Sequence, residues 1–538
     1  MANAEQSAEF NPNLATRMDH VDAWCDKWSD RLNPILVKET RQALKSRQFV
    51  VTFSFLLFAA LGWTFIGTFS LMPKIYDTPS APRMLIGYYF VLALPMLLVV
   101  PLAAYRSLEG EIDDGTLELL SITSLSPWQI VLGKLASAML QMMLYFVALF
   151  PCVSYAYTLR GVDFPTTVVL MGVLLLSGVM LTITALFFSP ISEKRTTRVV
   201  TLLAVLGILA LAEFGLGALA VELILNGLDL SVEQILGLVG SAVLTCIGVG
   251  YLLLTVTAAQ LTPVSENRST KIRLALLLLN GIVISVVAFW VGRIEDDISA
   301  SWFFVFFGGS LLMVVWTVAG SMLVSESPIV TPRVQRELPK SFLARAAFTW
   351  LTPGPETGLI FTVANILVVG ILTAGALIEM SSAWSGSGST IPRNAAVTAT
   401  LPDLVSRFVF GYVSYLTCFL LLVYGLMRII RIKNNPRVEV GIAALAVVAV
   451  FASVLPYGIG LYLSDFRSFQ YSFLQLTNWA WTLFEVLDGN DLTASIMLVA
   501  SVGLIGVIFI LYANPHLVLP RRIATPKRVL EERGETGM

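Results

Sequence analysis

Apolar residues gather into twelve runs of roughly 20 residues, near 49–72, 84–105, 130–159, 166–189, 199–225, 235–261, 272–292, 301–324, 357–378, 405–430, 441–463 and 492–513. A helix rising ~1.5 Å per residue needs about 20 such residues to cross the hydrocarbon core. The pattern therefore predicts an all-α polytopic membrane protein with about twelve transmembrane helices. The third run is too long for a straight crossing, so its start is expected to project beyond the membrane. Pro95 and Pro101 in the second run predict a kink.

Composition agrees. Of the 538 residues, 56% are hydrophobic and only 13% are charged, whereas soluble domains carry about a quarter charged residues. Mean hydropathy is +0.78. A net charge of −1 gives no support for nucleic-acid binding. The four cysteines, Cys25, Cys152, Cys246 and Cys418, are far apart, and with two histidines they do not suggest a metal site. No secretory signal peptide is visible, because the first ~48 residues are polar and the first apolar run is too long for one.

Charge then orients the spans. In the twelve-span layout 28 of the 35 Lys and Arg residues fall on one side, in the N-terminal segment, alternate loops and the C-terminal tail. The positive-inside rule makes that side cytoplasmic, with both termini inside. The expected organisation is a cytosolic segment over 1–48, a six-span unit over 49–261, a second six-span unit over 262–513 and a basic tail over 514–538. Two outward segments are long. One, 379–404, is rich in Ser, Gly and Thr; the other, 464–491, carries Trp479 and Trp481 and suits an interfacial helix at headgroup depth.

Two cytoplasmic stretches hold candidate functional residues. The first is ILVKETRQALKSRQF after Asn33-Pro34. Asn33 is a good N-cap and Pro34 needs no hydrogen bond at the first helical position. Leu36, Thr40, Ala43 and Leu44 share a face, with Lys38, Arg41 and Lys45 turned away, as in an interfacial helix with cations near anionic headgroups. A plain basic flank would explain the charges but not the Asn-Pro start.

The second is RSLEGEIDDGTLELLSITSLSPWQIVLGK, 106–134. Its Glu109, Glu111, Asp113, Asp114 and Glu118 face only Arg106 and Lys134 within that window, against the basic bias usual beside a membrane. It suits a partner protein better than a lipid surface. Gly115 interrupts the acidic run, Thr116–Ile122 can form a short helix presenting Leu117, Leu120 and Ile122, and Ser126-Pro127-Trp128-Gln129 reads as a capping box that starts the third helix early. The result is an elbow on a rigid stem. The plainer alternative is a solvated loop joining two spans.

These residues resemble the membrane subunits of type-2 ABC transporters, the ABC-2 permeases, over roughly 33–261. NPILVKETRQ is similar to the connecting helix before their first span, with Asn33, Pro34, Lys38, Glu39 and Arg41 at the matched positions. The elbow is similar to their coupling helix through Glu109, Glu111, Gly115, Thr116, Leu117, Glu118, Leu120, Pro127, Gly133 and Lys134. The resemblance implies a permease for apolar or amphiphilic cargo in the cell inner (cytoplasmic) membrane, coupled to a separate ABC ATPase subunit that binds ATP and Mg. It implies export, and either a homodimer or one chain serving as both halves. No cofactor is expected in this chain itself, since its Gly-rich stretches near 354–358 and 386–390 lack the P-loop lysine and spacing. The chain departs from the family in its second six spans, where 325–356 stands in place of the elbow and is basic and Pro-rich.

Glu213, near the middle of the fifth run, is the remaining candidate. A carboxylate at the bilayer centre costs about 2.5–3.5 kcal/mol on insertion scales and should face protein or water. It fits a translocation path, and equally a hydrogen-bonded packing residue beside Gly215 and Gly217. A gradient-driven secondary transporter with Glu213 in the path is therefore the alternative function. A membrane-embedded enzyme is not supported, as no nucleophile–base set or metal cluster is visible.

Overall fold

The computed structural model describes residues 34–514 except 74, 76–77, 116–124, 192–194, 229, 264–265, 294–297, 329–330, 339–340, 342–347, 387–394, 434–436 and 468–469; for 195–196, 298–300, 337, 381–386 and 395–402 it describes the backbone alone. Among these residues the protein is all-helical, with no strand. Twelve helices are long and apolar enough to cross a membrane, one for each apolar run. The chain divides into two compact units, Met1–Thr262 and Pro263–Met538.

In the first unit, α1 (Pro34–Lys45) is followed by α2 (Arg47–Leu71). Ser46 between them accepts from Phe49 N at 3.1 Å, which caps the first span. The second span is composite: α3 (Ala81–Ala93), a π-helical stretch over Leu94–Val99, and α4 (Val100–Asp113). The two prolines, expected to kink this span, coincide with its change of helix type. Pro95 and Pro101 lack an N–H, and the wider π turn absorbs the mismatch over the intervening residues. Gly178 lies against this stretch, where a Cβ would come 3.2 Å from Met96 O.

This second span is the hub of the unit. Met84, Tyr88, Leu92, Met96 and Leu97 are buried. Trp63 of α2 donates to Met84 O at 3.2 Å, and Thr64 Oγ1 meets the Tyr88 hydroxyl at 2.7 Å. The other helices are α5 (Pro127–Thr158), α6 (Phe164–Phe188), α7 (Arg195–Asn226) and α8 (Val232–Leu261). The 32 residues of α5 exceed a straight crossing, as expected. Phe58, Phe65 and Phe69 of α2 are exposed, which is the surface a hydrocarbon phase would cover.

The second unit holds α9 (Ser269–Val291), α10 (Ile298–Val324), the short α11 (Pro332–Glu337), α12 (Pro355–Gly386), α13 (Ala395–Arg431), α14 (Val440–Leu463), α15 (Trp479–Leu487) and α16 (Thr493–Ala513). Small residues bring α10 and α12 together, the packing mode that serves where apolar burial gives no driving force. A Cβ on Gly309 would lie 2.2 Å from Thr373 Oγ1, and one on Gly320 would lie 2.3 Å from Thr362 Cγ2.

Both long connections are largely helical or packed against helices. The Ser/Gly/Thr-rich stretch is largely an extension of α12 to Gly386 and of α13 back to Ala395, with 387–394 outside the described residues. The aromatic stretch does contain a short helix, but it packs onto α13 and α14 as well as exposing Phe473 and Phe484. Gln475 is buried and donates to Pro456 O at 2.8 Å, and Tyr415 donates to Leu476 O at 2.6 Å. Polar groups buried under this connection thus find their partners in α13 and α14, which fastens it to the helix bundle.

Candidate functional site

Helical periodicity places the polar residues of α4 on two faces. At 100° per residue, Ser107 and Glu111 stand one turn apart on one side, while Tyr105, Glu109 and Asp113 lie about 200° away. The structure uses each face for a different neighbour.

The first face meets Lys134. The capping box at the start of α5 is formed, with Ser126 N donating to Gln129 Oε1 at 2.9 Å and Gln129 N to Ser126 Oγ at 3.3 Å. Two turns further on, the Lys134 side chain is only 1% exposed. Its Nζ donates to Ser107 Oγ at 2.8 Å and to Glu39 Oε1 at 3.2 Å, and lies 3.1 Å from Glu111 Oε2. Ser107 Oγ in turn donates to Glu39 Oε2 at 3.0 Å. Lys38 donates to Glu111 Oε1 at 3.0 Å. That hydrogen bond, opposed by partial burial and aided by the charges of Glu111 and Glu39, holds the Lys38 ammonium above its usual pKa.

Two lysines and two glutamates therefore form a formally neutral network joining α1, α4 and α5. Burying a lysine is tolerable only when its charge and its N–H groups are met, and here they are. The second face of α4 meets α7: Arg198 Nε lies 3.5 Å from Glu109 Oε1, and its Nη2 donates to Asp113.

These contacts add a docked side to α1 beyond its expected apolar face. The buried residues of that helix are Ile35 and Glu39, so its docked side carries a carboxylate, and Lys38 is turned into the network. Arg41 stays exposed. Pro34 is the first helical residue, while Asn33 lies outside the described residues. At the elbow, Gly115 follows α4 with φ of 66°, a left-handed conformation that favours glycine. Pro127 opens α5 and Gly133 is buried. Thr116, Leu117, Glu118 and Leu120, the centre of the expected coupling contact, lie outside the described residues.

Within its own window the acidic run faces only Arg106 and Lys134, but Lys38 and Arg198 arrive from elsewhere in the chain. Ser107 and Arg198 are additions that sequence reasoning does not supply. A signal for Ser107 is present, since it stands one turn before Glu111 on the same face.

A comparable cluster exists in the second unit, where the sequence raises no candidate. Arg273, fully buried in the first turns of α9, donates to Trp350 O at 2.8 Å, Thr357 Oγ1 at 3.2 Å, Gly354 O at 3.3 Å and Glu326 Oε2 at 3.0 Å. Gly354 N also donates to Glu326 Oε2, at 2.9 Å. One arginine thus ties together the two ends of the segment between α10 and α12. The signal for it is its position four residues inside an apolar helix; as one cation of a basic loop it informs topology alone.

Glu213 is half-buried in α7, and its Oε2 is buried without a hydrogen-bond partner among the described residues. The Tyr89 hydroxyl of the second span donates to Leu216 O, three residues along α7, at 3.2 Å. Among the described residues no group of His, Cys, Asp and Glu could hold a metal ion.

No protein-family model, no characterised protein and no solved structure matches the chain.

Proposed function

We propose that this chain is the membrane-spanning permease subunit of an ATP-driven transporter, an exporter of the ABC-2 type, driven by a separate ATPase subunit that binds ATP and Mg. Its place is the cell inner membrane, with both termini and the 106–134 elbow in the cytosol, and the active assembly is either a homodimer or one chain serving as both halves. The observation that carries this reading is the way Lys134 joins the two legs of the elbow. Glu111 stands in one leg of the elbow and Lys134 in the other, and both are bound to Glu39 or Lys38 of α1. A force applied between the legs would move the second and third spans and α1 as one body, rather than being lost in a flexible loop.

The test is residue-level cross-linking from Glu118 in native membranes, followed by mass spectrometry of a tagged purification. A nucleotide-binding subunit joined at Glu118 is the expected product. Recovery of the chain without any ATPase, where control ABC complexes survive, would overturn the reading, as would full ATPase binding and transport by Glu118→Lys.

A gradient-driven transporter is the second reading, and the unpartnered Glu213 carboxylate oxygen favours it. Transport that survives ATP depletion and is abolished by a protonophore would decide for it.

A further inference from the structure

A groove of 280 Å³ opens beside the Lys134 network, walled by α1, the start of α2, the second span and α5. Along α5 it runs from Lys134 through Ser137 and Gln141 to Tyr145, a length of about 16 Å at the helical rise. Its chemistry changes along that length. At one end stand Glu39, Arg106, Ser107 and Lys134; at the other stand Val99, Phe49 and Tyr145. Phe49 and Tyr145 pack with ring centroids 5.6 Å apart, so the far end is an aromatic wall. Ala103, Ala104 and Ala138 keep the middle open.

The charges at the polar end are unequal in availability. Glu39 and Lys134 neutralise each other within the network. Arg106 lines the groove and is exposed; among the described residues no hydrogen bond or ion pair engages it, although the Glu109 carboxylate lies near enough to feel its charge. Arg41, Lys45 and Arg47 follow in the adjoining part of α1 and α2, all three exposed. A site with available cations at a polar mouth and an apolar slot leading along a membrane-spanning helix matches one kind of molecule: an amphiphile with an anionic head.

We propose that this groove holds an anionic phospholipid of the leaflet that meets α1, with its phosphodiester at Arg106 and one acyl chain lying along the wall that Phe49 and Tyr145 form. A free phosphate would satisfy Arg106 but leave the aromatic slot unused. The bound lipid lies against Glu39 and α5, so it fills the wedge beneath α1 and supports the docking of that helix. No ATPase partner is needed for this binding.

The experiment uses the full chain reconstituted in vesicles of phosphatidylcholine doped with phosphatidylglycerol carrying a diazirine on its acyl chain, with adducts mapped by peptide mass spectrometry. The expected adducts concentrate on the peptides bearing Tyr145 and Phe49, above the level at Phe65 and Phe69 on the exposed face of α2. They fall several-fold in Arg106→Ala and in Ala103→Trp, which fills the slot, and are weaker with a phosphatidylcholine probe. Should Ala103→Trp fail to fold, the unsubstituted chain and Arg106→Ala decide the matter. Uniform labelling over all exposed faces overturns the proposal. So does labelling that is indifferent to the headgroup and to Arg106, or labelling displaced by inorganic phosphate.

Discussion

Lys134 Nζ lies 3.2 Å from Glu39 Oε1 although the two residues are 95 positions apart in the chain. The pair connects a helix that precedes the first span to the start of the third, and Ser107 of the second span bonds to both partners.

Lys134→Ala leaves Glu39 and Glu111 facing each other without their buried cation. Removing one partner of a buried pair costs about 3–5 kcal/mol. The expected result is a lower midpoint of thermal unfolding in detergent and faster proteolysis near α1. Lys134→Met combined with Glu39→Gln should lose less than the sum of the two single changes, because the double variant buries no unpaired charge at that contact. Additive losses in that cycle would show that the two side chains are not coupled.

Arg273 supplies the same kind of test in the second unit. Its four acceptors include Glu326 and three groups between Trp350 and Thr357. Arg273→Ala should destabilise by a similar ~3–5 kcal/mol, whereas Arg333→Ala, whose ion pair with Glu266 is exposed on both sides, should change stability by less than about 1 kcal/mol. Thermal unfolding of both variants, side by side, checks the ranking.

Close approach of α10 and α12 makes Gly320 intolerant of size. A Cβ at this position would lie only 2.3 Å from Thr362 Cγ2, so Gly320→Leu should cost at least the ~1–3 kcal/mol typical of overpacking. A Cβ on Gly172 would meet nothing within 4 Å, so Gly172→Leu should be nearly neutral. Comparable yield and unfolding midpoint for both would contradict the packing described.

Asp163 caps α6, its carboxylate accepting from Thr166 N at 3.1 Å and from Thr166 Oγ1 at 2.8 Å. Burial alone would raise its pKa, but the Thr166 side-chain and backbone hydrogen bonds outweigh that effect and hold the carboxyl below its usual value of 3.8. Because the folded-state pKa is the lower one, the cap stabilises fully above the ordinary carboxylate range and is lost as pH falls through the folded value. Asp163→Ala should cost about 0.5–2 kcal/mol near neutral pH and progressively less in acid. Hydrogen exchange at the first turn of α6, measured against pH in both forms, reads this difference directly.

The twelve spans, the capping box at Ser126 and the helical start at Pro34 were all legible in the amino-acid order. Each depends on neighbours within a turn or on a run of apolar residues, so local composition is enough to specify it. Local order also separates α4 into two polar faces, because residues four apart in a helix must share a side. What each face meets follows from helix packing instead. Nothing near Glu111 or Lys134 in the chain indicates that Lys38 and Glu39 complete their charge balance, or that Arg198 answers Glu109 and Asp113. Arg273 shows the same limit: two of its acceptors are backbone carbonyls some 80 residues away, and a carbonyl has no residue-type signature. Buried charges in a membrane protein are balanced through space, and helix packing, not spacing along the chain, determines which of them come together.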